Sequence, residues 1–124
     1  ALPAGLAINA ASVIGISFGR TIDGLVGPDR QSLDAVNYPG VISAPLPVLR
    51  ASGEALRQSL SVAEADDEMY VMPFSALAQS CKTYDEYGER IAAVKSDAIA
   101  LVAIGLAGPK KKVTKMTGDL PLYK

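Results

Sequence analysis

The sequence predicts an α/β fold, and three observations carry that reading. A long apolar helix opens the chain. Short runs with strand character alternate with capped helices through the middle. One continuous apolar run near the end reads as a strand. Strands alternating with helices are the pattern of a layered α/β architecture. The 124 residues suit one ordinary domain spanning 1–124, and a chain of that length buries roughly two thirds of its unfolded surface. Hydrophobic residues make up 49%, enough for one packed core.

Each element has a local cause. From Gly5 to Phe18, Leu6, Ile8, Ala10, Val13, Ile14 and Ile16 fill nearly every side, so the spacing predicts a helix buried on most faces. Between Asp23 and Gly40, Gly24, Gly27-Pro28-Asp29 and Pro39-Gly40 are turn signals. Val41 to Arg50 reads as extended, with Pro45 and Pro47 placed at an edge or before regular pairing begins. Ser52 caps a helix running to about Ala65, with Glu54 in its first turn. Asp66-Asp67-Glu68 breaks that helix, and Met69 to Met72 reads as a short strand ended by Pro73. Phe74 to Cys81 suits a short helix. Thr83 with Glu86 forms a capping box for a helix to about Val94, whose apolar face carries Tyr84, Tyr87 and Ile91. Ala98 to Ile104 is read as a strand buried on both faces. After Leu106-Ala107-Gly108-Pro109 comes a last helix with Pro109 near its start and Gly118 as its stop. Leu120 and Leu122 then pack back.

Composition narrows the chemistry. Twelve basic and 13 acidic residues give a net charge of -1, which argues against whole-surface attraction to nucleic acid or anionic membrane. With no histidine and one cysteine, no Ser-His-Asp or Cys-His triad and no histidine-based zinc site can form. A general base must be a carboxylate, a lysine, a tyrosine, the Cys81 thiol or the N-terminal amine. The lone cysteine requires no oxidising compartment. The longest apolar stretches, Leu6–Phe18 and Ala98–Ala107, fall short of the ~20 residues of a spanning helix. The opening residues lack the basic start of a signal peptide. The expected setting is cytoplasmic, away from membranes.

Two segments carry a resemblance. One is Leu2-Pro3-Ala4-Gly5-Leu6-Ala7-Ile8-Asn9-Ala10-Ala11. The other runs from Leu101-Val102-Ala103-Ile104-Gly105 through Gly108-Pro109 to Thr117-Gly118-Asp119-Leu120-Pro121-Leu122. Together they resemble the first strand-to-helix turn and the carboxyl end of peptidyl-tRNA hydrolase type 2. The whole chain is similar to a bacterial domain-of-unknown-function family, number 2000, through Gly5–Ala11, Leu46–Ala51, Ala78–Tyr87 and Gly108–Leu122. The resemblance implies a three-layer domain with a four-stranded mixed sheet flanked by helices, whose first strand falls before Ala1. It also implies loss of the hydrolase's groups. Leu6 stands at that family's lysine, Asn9 at its glutamine, Ser12 at its histidine, Pro73 at its aspartate, and Leu77 and Ala100 at its threonines.

The candidate residues each have two readings. Asn9 and Ser12, three apart on one helix, either line a remnant pocket and serve as weak catalytic candidates, or satisfy polar groups at the helix start. Lys110, Lys111, Lys112 and Lys115 follow Gly108-Pro109 at a helix N-terminus, where an anion is favoured; the other reading is a solvated face. Asp66-Asp67-Glu68 fits a solvated loop better than a calcium site, and neither metal nor cofactor is expected. Cys81 beside Lys82 is either a reactive thiol or a small buried hydrophobe. Tyr84 and Tyr87 suit packing better than base stacking. The resulting expectation is a non-catalytic binding module for RNA or a small phosphorylated ligand, held by Gly5, Asn9, Gly108, Lys110, Lys111, Lys112 and Lys115. The alternatives are a hydrolase of peptidyl-tRNA or an ester with altered groups (Asn9, Ser12 or Cys81), and a homodimeric interaction protein.

Overall fold

A computed structural model describes residues 2–123. The chain opens with helix α1 (Ala4–Thr21), then passes through a long irregular segment that includes two two-residue strands, β1 (Arg30–Gln31) and β2 (Asn37–Tyr38). Helix α2 (Gly53–Glu64), strand β3 (Tyr70–Ser75), helix α3 (Ala76–Ser80) and helix α4 (Tyr84–Ala92) follow. A 3-10 turn at Ser96–Ala98 leads into strand β4 (Leu101–Ala107) and helix α5 (Lys110–Thr117).

The α/β class holds, but the four-stranded mixed sheet does not form. The strands make two separate antiparallel pairs, β1 with β2 and β3 with β4. The proline-rich segment is part of the reason. Pro45 and Pro47 cannot donate to a ladder, and only the two ends of the segment pair: Ile42 bridges Val26 at its start. Leu49 bridges Leu122, the Arg50 N–H donates to the Pro121 carbonyl, and the Tyr123 N–H donates to Val48.

The β3–β4 pair organises the core. Tyr70 faces Ala107, Met72 faces Gly105 and Phe74 faces Ala103, and by the strand pleat these side chains share one face. Helix α1 lies on that face, with Ala10, Ile14 and Phe18 buried against Phe74 and joined by Met72, Ala103 and Ala107. The Phe18 and Tyr70 rings stand 5.5 Å apart. Gly105 permits the close approach, because a Cβ there would overlap Ile14 and Phe18. Helix α2 packs against both strands. Its buried Leu60 and Ala63 lie outside the α1 cluster, so it covers the other face, that of Val71, Ile104 and Leu106.

Four expectations are corrected in detail. First, α1 is not buried on most faces. Its buried residues fall at spacing of four on one stripe, while Ile8 and Ile16 are 67% and 75% exposed. A sheet of two strands, ~4.8 Å apart, meets only one stripe of a helix. Second, Pro73 does not end its strand; it pairs with Ile104 inside β3. Proline fits wherever the ladder leaves an N–H pointing away from the partner strand. Third, Ala98 belongs to the 3-10 turn, and β4 extends through Gly105 to Ala107 with only Gly105 fully buried. Fourth, the α4 capping box is displaced. Thr83 Oγ1 accepts from the Glu86 N–H as expected, but the Glu86 carboxylate accepts from the Lys82 N–H rather than from that of Thr83. The Ser52 cap on α2 forms as expected, accepting from Ala55.

Candidate functional site

The two ends of the β3–β4 pair are built differently. They are separated by the length of β3, roughly 17 Å at strand rise.

At one end, Gly108 follows β4 and α5 begins. Here the lysine cluster is partly spent. Lys112 Nζ lies 2.7 Å from Asp66 and 2.5 Å from Glu68. Lys112 holds the Asp66 carboxyl below its ordinary value, helped by the Glu68 N–H, and the two acids raise the Lys112 ammonium in return. The acidic loop and the lysine run, separate in sequence, are thus partners in space. Lys110, Lys111 and Lys115 are exposed and form no ion pair among the described residues. A shallow groove of about 430 Å³ between α2 and α5 is lined by Gln58, Val62, Asp66, Lys112, Lys115 and Met116, among others. Gly108 sits under Met69, and a Cβ there would strike its sulfur.

At the other end lie the start of α1, the end of β3, and the turn from α3 into α4. A cleft of about 430 Å³ opens between them. Val13, Met72, Pro73, Phe74 and Ala78 supply its apolar lining, and Asn9, Ser17, Cys81, Lys82 and Thr83 supply its polar groups, with Tyr84 and Tyr87 closing one side. The two tyrosine rings meet edge to face, with centroids 5.8 Å apart, a favourable aromatic geometry. Lys82 is the one charged residue in this lining, and it has no ion pair among the described residues. Arg90 Nη1 donates to Cys81 Sγ at 3.7 Å. Local sequence builds this corner. Ser75 caps α3 by accepting from the Ala78 N–H, Thr83 caps α4, and the two caps fix the bend that carries Cys81 and Lys82. Gln79 ties the corner to α1, its Nε2 donating to the Leu6 carbonyl at 3.0 Å and to Asn9 Oδ1 at 3.2 Å.

The residues singled out in the sequence therefore divide. Gly5 and Asn9 lie at the cleft end, and Gly108, Lys110, Lys111, Lys112 and Lys115 at the opposite end, so these two groups do not converge on one pocket. Asn9 lines the cleft; Ser12 is exposed and does not. Cys81, Lys82, Tyr84 and Tyr87 are brought together there. Ser17 and Gln79 carried no sequence signal as site residues, although Gln79 lies in the Ala78–Tyr87 motif that accompanies the Gly5–Ala11 motif. The two motifs meet through Gln79, which donates to both the Leu6 carbonyl and Asn9 Oδ1.

Fold and cleft together define a small α/β domain with a half-apolar, singly charged pocket. The family model described as "Protein of unknown function (DUF2000)" matches residues 1–124, and the chain belongs to that family. It is also similar to the solved structure of a protein of unknown function from Agrobacterium tumefaciens strain C58, at 17% identity and a TM-score of 0.79. That match covers 99% of this chain and 90% of the other. This likeness is one of fold. No curated protein matches the chain.

Proposed function

We propose that this protein is a non-catalytic binding domain whose ligand occupies the cleft between α1, β3 and the α3–α4 corner. The observation that carries this is the lining itself: an apolar floor, an aromatic pair and a few convergent polar groups, which is the usual make-up of a small-molecule site. The resemblance to peptidyl-tRNA hydrolase type 2 favours the same location, since Asn9 and Pro73, matching that family's glutamine and aspartate, both line the cleft. The replacement of its reactive groups favours binding over hydrolysis.

The alternative of RNA or a phosphorylated ligand on the lysine helix has less support. Lys112 is engaged by two acids, and the few lysines left give only modest phosphate affinity. Titration of a small fragment library, followed by amide NMR signals, tests the assignment. Binders are expected to shift Asn9, Thr83 and Tyr87, and Ala78→Trp, which fills the cleft, is expected to abolish those shifts. Saturable binding confined to Lys110 and Lys111 contradicts it.

A second reading, a homodimer through the outer face of α1, rests on the exposed Ile8 and Ile16. Sedimentation at decreasing concentration tests it, and a monomer at every concentration rules it out.

A further inference from the structure

We infer that the cleft selects a planar aromatic carboxylate, an inference that rests on the cleft being the binding site. Gln79 sets the polarity. Its Nε2 reaches both the Leu6 carbonyl and Asn9 Oδ1. A main-chain carbonyl can only accept, so the Gln79 amide must turn its nitrogen toward Leu6. The second hydrogen on that nitrogen then takes the oxygen of Asn9. The Asn9 amide is held by its acceptor end, and its two N–H donors are left for the cleft that it lines.

The rest of the lining has the same sense. The Thr83 oxygen already accepts from the Glu86 N–H, which leaves its hydrogen to give. Cys81 Sγ already accepts from Arg90. Among the described residues no carboxylate lines the cleft, and Lys82 adds a positive charge. Asp85 and Glu86 are the acids on the adjoining turn; neither lines the cleft, and the Glu86 carboxylate is engaged by the Lys82 N–H. The Ser17, Tyr84 and Tyr87 hydroxyls can give or take, so the groups of fixed sense, the Asn9 N–H pair and the Lys82 ammonium, are donors. A ligand that brings two coplanar acceptors and a negative charge satisfies them, with charge-assisted hydrogen bonds. A ligand that brings N–H donors leaves donor facing donor and is penalised on desolvation. The Tyr84–Tyr87 pair and the floor of Val13, Met72 and Phe74 suit a flat ring as the body of the ligand. Gln79 is thus a positioning residue: it touches Asn9, and Asn9 touches the ligand.

The test uses two flat probes of nearly equal shape, benzoate and benzamidine, titrated separately into the full chain while amide NMR signals are followed. Benzoate is expected to shift Asn9, Lys82 and Thr83 saturably, and benzamidine to leave them in place. Gln79→Glu removes the donor and lets Asn9 present its oxygen, so it should weaken benzoate about tenfold. Lys82→Gln, at an exposed position, should weaken it several-fold and keeps the test in force if Gln79→Glu lowers the folded fraction. Benzamidine binding as tightly as benzoate overturns the polarity and leaves the cleft standing as a site. Neither probe moving the cleft signals overturns both.

Discussion

The two ends of the β3–β4 pair carry similar residue types and arrive at opposite electrostatic states. At the α5 end, a run of three lysines with Lys115 and a run of three acids supply the charges, and Lys112 pairs with two of the carboxylates, Asp66 and Glu68. At the α3–α4 end, one lysine stands in an apolar cleft with no acid in the lining. In the richer cluster Lys112 is engaged, while Lys110, Lys111 and Lys115 form no ion pair among the described residues. Charges clustered in sequence can find each other in space, as Lys112 does with Asp66 and Glu68.

The largest perturbation removes a wall that the cleft shares with the core. Phe74 is 6% exposed and belongs both to the α1 cluster and to the cleft lining. Phe74→Ala should lower stability by about 3–5 kcal/mol, and urea denaturation monitored by tyrosine fluorescence would measure it. Gly105→Ala forces a methyl group into Ile14 and Phe18 and should cost about 1–3 kcal/mol by the same assay. Its effect on cleft binding should be small, because Gly105 does not line the cleft.

The α5 end is tested by pH. The Asp66 carboxyl is lowered, first by its hydrogen bond to Lys112 and then by the Glu68 N–H. A lowered acid stabilises the fold above its unfolded value of ~3.9, and that contribution is lost as pH falls through the folded value. Lys112 is raised by Asp66 and then Glu68. Its contribution is present below ~10.4 and lost as pH climbs through the raised value. Thermal midpoints should therefore be level between about pH 5 and 9 as far as this pair is concerned. In Asp66→Asn the fall on the acid side should be shallower than in the parent, with Asp29 and Asp34, also lowered by hydrogen bonds from Gly40 and Ser32, supplying what is left. An acid limb of unchanged depth would show that the pair contributes nothing measurable. Ligand binding at the cleft should not respond to this substitution.

The smallest effect lies in the β1–β2 turn, remote from both ends. Ala35 has a φ of 64°, a left-handed conformation that costs a non-glycine residue about 1 kcal/mol or more. Ala35→Gly relieves this against a greater loss of chain entropy, and should raise stability by at most about 1 kcal/mol in the same urea assay.

What was legible in the sequence followed range. The Ser52 and Thr83 caps, the α2 and α5 limits and the turn signals before β2 are short-range features, and each is readable from a few residues. Pairing was not. The Lys112–Asp66 contact spans 46 residues and the Gln79–Asn9 contact 70, and neither has a periodic signal. The apolar repeat of α1 misled because hydrophobicity shows what a helix is able to bury, not whether anything covers it. Ile8 and Ile16 have the same character as Ile14 and lie on uncovered faces. In the candidate site, Asn9, Cys81, Lys82, Tyr84 and Tyr87 were visible as separate residues. Their convergence depends on the α3–α4 bend, which no run of a few residues shows.

One measurement bears most directly on the claim that the cleft end is the binding end. Amide NMR spectra of the full chain are recorded with benzoate and with a short single-stranded RNA, each at matched salt, and shifts are mapped onto both ends. The account predicts that benzoate moves Asn9, Thr83 and Tyr87, while RNA leaves Lys110, Lys111 and Lys115 unmoved. Saturable RNA shifts at those lysines, with the cleft signals still under both probes, would contradict it.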